Sequence, residues 1–257
     1  MNVWQARGTL VEIGRRCYQN GFVAATDGNM SCRVGDRLIA ATPAGMCKGM
    51  LTAEDIVILD PQGNRVEGRR DASSEIRLHL EIYKERPDVG GVVHAHPPTA
   101  TGFAVARLPL AACVLPEIIL TLGDIPLAPY ATPSTDEVPD SIRPQLRDHD
   151  AFLLANHGTV TLGSSVEDAY FRLEKVEQFA KVILVARQLG RIAALTRDDV
   201  LKLAALHPGK EQAAKACVKC HGCGESPSRD PDYDAVVKEA VQAVLARLSA
   251  AETTPRP

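Results

Sequence analysis

Aromatic side chains are scarce in this sequence, only 4% of 257 residues, so it has little material for the stacking platforms that grip single-stranded nucleic acid. A basic excess is missing too. Its 29 Lys and Arg against 32 Asp and Glu leave a net charge of −3, with both signs mixed along the chain, which gives no face for a phosphate backbone. No apolar run is long enough to span a bilayer, and the opening Met1-Asn2-Val3-Trp4-Gln5-Ala6-Arg7 has no basic segment followed by an apolar one. The expected compartment is the cytoplasm. Seven cysteines, an odd number without an export signal, argue against a disulfide framework and for thiols or metal ligands. What is present, 45% hydrophobic and 24% charged residues, is the composition of an ordinary globular protein able to bury a sizeable core.

The stretch around which the chain is organised is Gly91-Val-Val-His94-Ala-His96-Pro97. Its apolar, β-branched start after a turn signal reads as a buried strand, whose successive side chains point to opposite faces. His94 and His96 therefore face the same way, where two imidazoles can chelate a divalent ion, and Pro97 stops the strand. A pair of satisfied core histidines fits these seven residues equally well.

Taken in order, residues 3–19 carry apolar positions at Val3, Leu10, Ile13, Cys17 and Tyr18, as in an amphipathic helix that Gly21 ends. Thr26-Asp27-Gly28-Asn29-Met30-Ser31 has the composition of an anion-binding nest or of a plain turn. Residues 37–42 read as a strand, Pro43-Ala44-Gly45 as a second turn, Thr52-Ala-Glu-Asp55 as a capped short helix, and 56–60 and 64–67 as two strands. Ala72-Ser73-Ser74-Glu75 opens a helix running to about residue 86, with Glu75 in its first turn, where a dipole-favoured carboxylate competes with a ligand or catalytic role. His79, one turn on, is expected to be structural. Residues 99–106 read as helix, 108–127 as loops and short strands, 130–135 as a turn, and 136–148 as a helix limited by Pro139 and Pro144. A strand at 151–155 ends at Asn156-His157-Gly158, which makes His157 a third candidate ligand. Ser165-Val-Glu-Asp168 caps a long helix to Gly190 with Ala169, Leu173, Val176, Phe179, Ala180, Ile183 and Leu184 on its apolar side. Strands alternating with helices predict a three-layer α/β/α domain.

The ordered set TDGNMS (26–31), TPAG (42–45), SSE (73–75), HAHP (94–97), PYATPST (129–135) and NHG (156–158), with the long capped helix, resembles the class II aldolase/adducin family over residues 5–207. The resemblance implies a central, mainly antiparallel sheet and one Zn²⁺ per subunit on His94, His96 and His157. Glu75 would be a displaceable fourth ligand or the acid/base. Asn29, Gly45, Ser73 and Ser74 match the family's phosphate pocket, and Thr26 lies beside it, while Ala44 departs from a common threonine. The implied activity is cleavage of a ketose 1-phosphate of the L-fuculose or L-rhamnulose type to dihydroxyacetone phosphate and an aldehyde such as lactaldehyde. A sugar-phosphate epimerase of the L-ribulose-5-phosphate type, or another lyase on the same metal site, is the alternative; a non-enzymatic adducin-like module is disfavoured by retention of the histidines and Glu75. In the family's fuculose-type aldolases a tyrosine protonates the leaving aldehyde, but here Leu120 stands near that place, with Glu117 or Tyr130 as substitutes. The resemblance also implies a homotetramer with sites between subunits.

Residues 1–210 are thus expected to form the catalytic domain, 211–232 a cysteine-containing segment and linker, and 233–250 an amphipathic helix. Cys217, Cys220, His221 and Cys223 form a C-x-x-C-H string that could hold a second metal or be a set of reduced thiols. The helix, with Val237, Val241, Val244, Leu245 and Leu248 in one stripe, resembles encapsulation peptides that carry enzymes into bacterial microcompartments, or it folds back on its own domain.

Overall fold

Strand β5 (Gly91–Ala95) is buried along its whole length, as its unbroken small and apolar run requires. It is the fifth of eight strands in one sheet of order β4-β3-β2-β1-β5-β8-β7-β6, where β1 is Asn29–Val34, β2 Leu38–Ala41, β3 Val57–Leu59, β4 Arg65–Glu67, β6 Leu127–Ala128, β7 Ala151–Leu154 and β8 Gly158–Gly163. Every neighbouring pair is antiparallel except β6 with β7, which run parallel. The computed structural model describes residues 1–206 apart from residue 112. The cysteine string and the 233–250 segment lie outside the described residues.

The pleat divides the core. Val93 and Ala95 point into a cluster with Leu10, Ile13 and Cys17 of α1 (Val3–Gln19) and Val166, Ala169 and Leu173 of α6 (Val166–Gln188). Val92 points into the opposite cluster, with Leu78 and Ile82 of α2 (Ile76–Glu85) and Val138 and Ile142 of α5 (Glu137–Ile142). Helices on both faces of a sheet give three layers, in agreement with the α/β/α expectation. A third cluster joins α3 (Pro98–Val105) and α4 (Pro116–Thr121) to β7 and to Val176, Phe179 and Ile183 of α6; α7 (Arg197–Ala205) packs Val200 and Ala204 on Ile119.

Local chemistry sets several boundaries. The α1 start carries a capping box in which Asn2 accepts from the Gln5 N–H and the Gln5 side chain accepts from the Asn2 N–H. Ser165 accepts from the Asp168 N–H at the start of α6. The structure departs from expectation in several places. Residues 29–34 and 158–163 are strands where turn residues hid the alternation, and residues 116–121 are helical because Pro116 takes the first-turn position that needs no N–H. The helix at 136–148 stops at Ile142 and passes into a tighter turn, Arg143–Gln145, around Pro144. Leu184, placed on the apolar side of α6, is exposed, lining an open groove with Phe103 of α3 and Arg187.

Candidate metal centre and substrate pocket

The antiparallel register brings one set of chain ends together. Asn29 at the start of β1 pairs with His94 near the end of β5, Ala95 pairs with Thr159 at the start of β8, and Leu154 at the end of β7 pairs with Gly158. The turn between β7 and β8 holds Asn156 in the left-handed region at φ 56° and carries His157. The three histidines converge there, offering nitrogen atoms all within 4.8 Å of one another. His94 and His96 bring their Nε2 atoms to 3.2 Å, and the His157 ring centroid lies 4.7 Å from that of His94 and 5.2 Å from that of His96.

Glu75 closes the cluster. It is the residue before α2 rather than part of the first turn, and its side chain caps no backbone N–H. Its Oε2 lies 3.3 Å from His94 Nε2 and its Oε1 lies 3.2 Å from His157 Nε2, while Asn29 Nδ2 donates to Oε2 at 2.9 Å. Burial works to raise its pKa, but the His157 and His94 rings beside it outweigh burial and keep the carboxyl well below the usual range.

Fully buried His94 lies 2.8 Å from the main-chain oxygen of Thr159 through Nδ1, a geometry that keeps the proton there and turns the Nε2 lone pair inward. Burial, then the neighbouring His94 and His157, lowers His96 to about 4. Ring-nitrogen and carboxylate lone pairs turned toward one another at these distances repel unless a cation lies among them, and Glu75 Oε1 is buried without a well-formed hydrogen bond. The residues therefore fit a divalent ion, with three borderline nitrogen donors and one displaceable oxygen. His79 stands apart from this set: its Nδ1 meets Ser31 Oγ at 2.7 Å and Ser31 Oγ meets Tyr83 OH at 2.8 Å in the buried layer below, as its structural assignment requires.

Residues assigned to phosphate occupy the loops at the same sheet end. Pro43 bridges to Ala72 and the Ala44 N–H donates to the Asp71 oxygen, which lays the Gly45 loop beside Ser73 and Ser74. Thr26, Gly45 and Ser74 are exposed and Ser73 half-buried. Asn29 differs from expectation, since its amide is turned to Glu75. Three neighbours were given no role by the sequence reading. Thr159 acts through a carbonyl that no side-chain pattern reveals; Ser134, at φ 65°, donates to Ser74 Oγ at 2.8 Å; and Gly158 has no room for a Cβ, which would lie 2.4 Å from His96 Cδ2 and 2.6 Å from the Ala95 oxygen. Leu120 is half-buried on α4, and Glu117 and Tyr130 are exposed.

The donor set fits a metal-dependent enzyme, and the similar proteins of named activity are lyases. A 3-oxo-tetronate 4-phosphate decarboxylase of Pectobacterium atrosepticum is 31% identical over 205 residues, covering 77% of this chain and 92% of that protein. An L-fuculose phosphate aldolase of Methanococcus maripaludis is 33% identical over 179 residues, covering 70% and 96%. A solved L-fuculose 1-phosphate aldolase superposes with a TM-score of 0.73 at 31% identity, covering 79% of this chain and 95% of the other. The family model for the class II aldolase and adducin N-terminal domain matches residues 8–184, and the chain belongs to that family.

Proposed function

We propose that this protein is a zinc-dependent aldolase that cleaves a ketose 1-phosphate of the L-fuculose or L-rhamnulose type to dihydroxyacetone phosphate and an aldehyde such as lactaldehyde. The observation that carries this reading is the meeting of His94, His96, His157 and Glu75 at one end of the sheet, beside loops rich in backbone N–H and hydroxyl groups. Bound zinc would supply the positive charge that draws electrons onto the substrate oxygen next to the breaking bond. His94, His96 and His157 would hold it, with Thr159 fixing the His94 tautomer. Glu75, released from the imidazoles when substrate enters, moves a proton to or from the carbon that loses its bond, and Asn29 steadies that carboxylate. Thr26, Gly45, Ser73 and Ser74 bind the phosphate, which sets the reacting carbon over Glu75. A homotetramer, and docking of 233–250 to a microcompartment shell, belong to the same proposal. Sizing the full chain tests the first, and co-sedimentation of the full chain and of a chain cut after residue 232 with purified shells tests the second.

A second reading is favoured by Leu120. Cleavage to an aldehyde needs a group that takes the proton from the hydroxyl becoming the aldehyde oxygen, which Leu120 cannot do, whereas an ionised carboxylate leaves as carbon dioxide with no proton to remove. A 3-oxo acid 4-phosphate that loses its carboxylate yields the same enediolate, and the relative from Pectobacterium is named for that reaction. One experiment separates the two. Zinc-loaded protein is given a panel of ketose 1-phosphates and 3-oxo-tetronate 4-phosphate, with dihydroxyacetone phosphate read by a coupled reductase and carbon dioxide trapped in parallel. Release of dihydroxyacetone phosphate from a ketose 1-phosphate supports the aldolase; release only with carbon dioxide assigns the decarboxylase; no release from any substrate removes both.

A further inference from the structure

Lys48 is one of the largest fully buried side chains among the described residues, only 1% exposed, and it opens a one-turn helix, Lys48–Met50, that no function above has used. Its Nζ donates to the Thr26 oxygen at 2.8 Å and to the Met46 oxygen at 2.7 Å. Both acceptors are main-chain carbonyls, dipoles rather than charges. Burial therefore depresses the lysine pKa, with only through-space help from Cys47 and Asp27 opposing it.

The position is rigid. A Cβ on Gly14 of α1 would lie 2.7 Å from the Lys48 carbonyl oxygen, and one on Gly49 would lie 2.5 Å from Tyr18 Cδ1, so α1 presses directly on this turn. Thr26 and Met46 belong to the two loops assigned above to the phosphate: the first leads into Asn29, and the second follows Gly45, whose φ of +66° leaves open space in front of its backbone. A buried ammonium whose contacts are two carbonyls costs stability, and an anion held by these same loops would offset that cost.

We propose that Lys48 is a positioning residue: it ties the Thr26 loop to the Gly45 loop and sets one buried positive charge behind the place where the substrate's phosphate sits. This rests on the phosphate assignment under the proposed function. Removing the ammonium loosens both loops and removes the charge, so it weakens phosphate binding without touching the metal ligands.

The test uses the full chain loaded with zinc and inorganic phosphate as the probe, titrated by calorimetry into wild type, Lys48→Met, Lys48→Gln and the Ser73→Ala/Ser74→Ala double variant. Lys48→Met binds phosphate about tenfold more weakly at an unchanged zinc-to-protein ratio, because a charge-assisted pair of hydrogen bonds is lost. Lys48→Gln, which keeps one N–H donor for a carbonyl, falls between it and wild type. With a turned-over substrate the loss lies in KM rather than kcat. If Lys48→Met does not fold, Lys48→Gln carries the comparison. Phosphate affinity unchanged in the lysine variants but lost in the serine variant overturns the role of Lys48 and leaves the pocket standing. Affinity unchanged in every variant overturns the pocket, and the proposal with it.

Discussion

Replacing Gly158 with alanine tests how His96 is packed into the site. The new Cβ would lie 2.4 Å from His96 Cδ2 and 2.6 Å from the Ala95 oxygen. The carbonyl cannot retreat easily, since Ala95 is paired with Thr159 and also accepts from the Thr159 hydroxyl at 3.1 Å. The imidazole is the softer neighbour, only half-buried, so the strain turns His96 away from His94. Overpacking of this kind costs about 1–3 kcal/mol. Where part of that strain is relieved by displacing a ligand, zinc affinity falls by roughly 10–100-fold, the size of effect seen when a ligand's orienting partner is removed. Competition against a chromophoric chelator measures it, and melting of the metal-free protein, which should drop by about 2–4 °C per kcal/mol, reports the packing cost separately. A Gly158→Ala protein that melts lower yet holds zinc as tightly as wild type would show that the His96 ring is not where the chemistry needs it.

Glu75→Gln keeps the shape of the side chain but not its proton-transfer capacity, so zinc per chain stays unchanged while turnover falls by about 10²–10⁴-fold; retained turnover would remove Glu75 from the reaction. Glu177, buried on α6, accepts from the Thr99 N–H and hydroxyl and from the Ala100 N–H, satisfying the start of α3 just beyond His96. Glu177→Gln should lower stability by about 2 kcal/mol in denaturant unfolding, and an unchanged midpoint would contradict that anchoring. Burial, reinforced by His94 and opposed by Glu75, lowers His79 from 6.5 to about 3. The unfolded chain therefore binds the extra proton first, so the stability from neutral His79 is complete above pH 6.5 and is lost as pH falls toward 3. The loss is on the order of 1 kcal/mol per pH unit. Metal-free His79→Leu should show a shallower acid slope than wild type, and identical slopes would refute the assignment.

The parts of the site legible in sequence were those where chemistry and period coincide. HAHP reads as two imidazoles on one strand face because a strand repeats every two residues, and NHG reads as a strand mouth because Asn and Gly permit the sharp turn. Asn29–Val34 and Gly158–Gly163 did not read as strands, since Asn, Ser, Thr and Gly also make turns and only pairing with β5 decides between the two. Glu75 was found by type but misplaced by one helical position, and Asn29 was assigned to phosphate although its amide meets Glu75, because a residue's partner across the sheet is a matter of register. The Thr159 carbonyl and the buried ammonium of Lys48 leave no side-chain pattern at all. They follow only from how three layers pack.

The most direct test of the account is equilibrium dialysis of the full chain against zinc. Wild type should retain one ion per chain, and a His94→Ala/His96→Ala variant that melts as a folded protein should retain none at the same free zinc concentration. Equal retention by the two proteins would contradict the claim that the histidines of β5 and the β7–β8 turn form one metal centre.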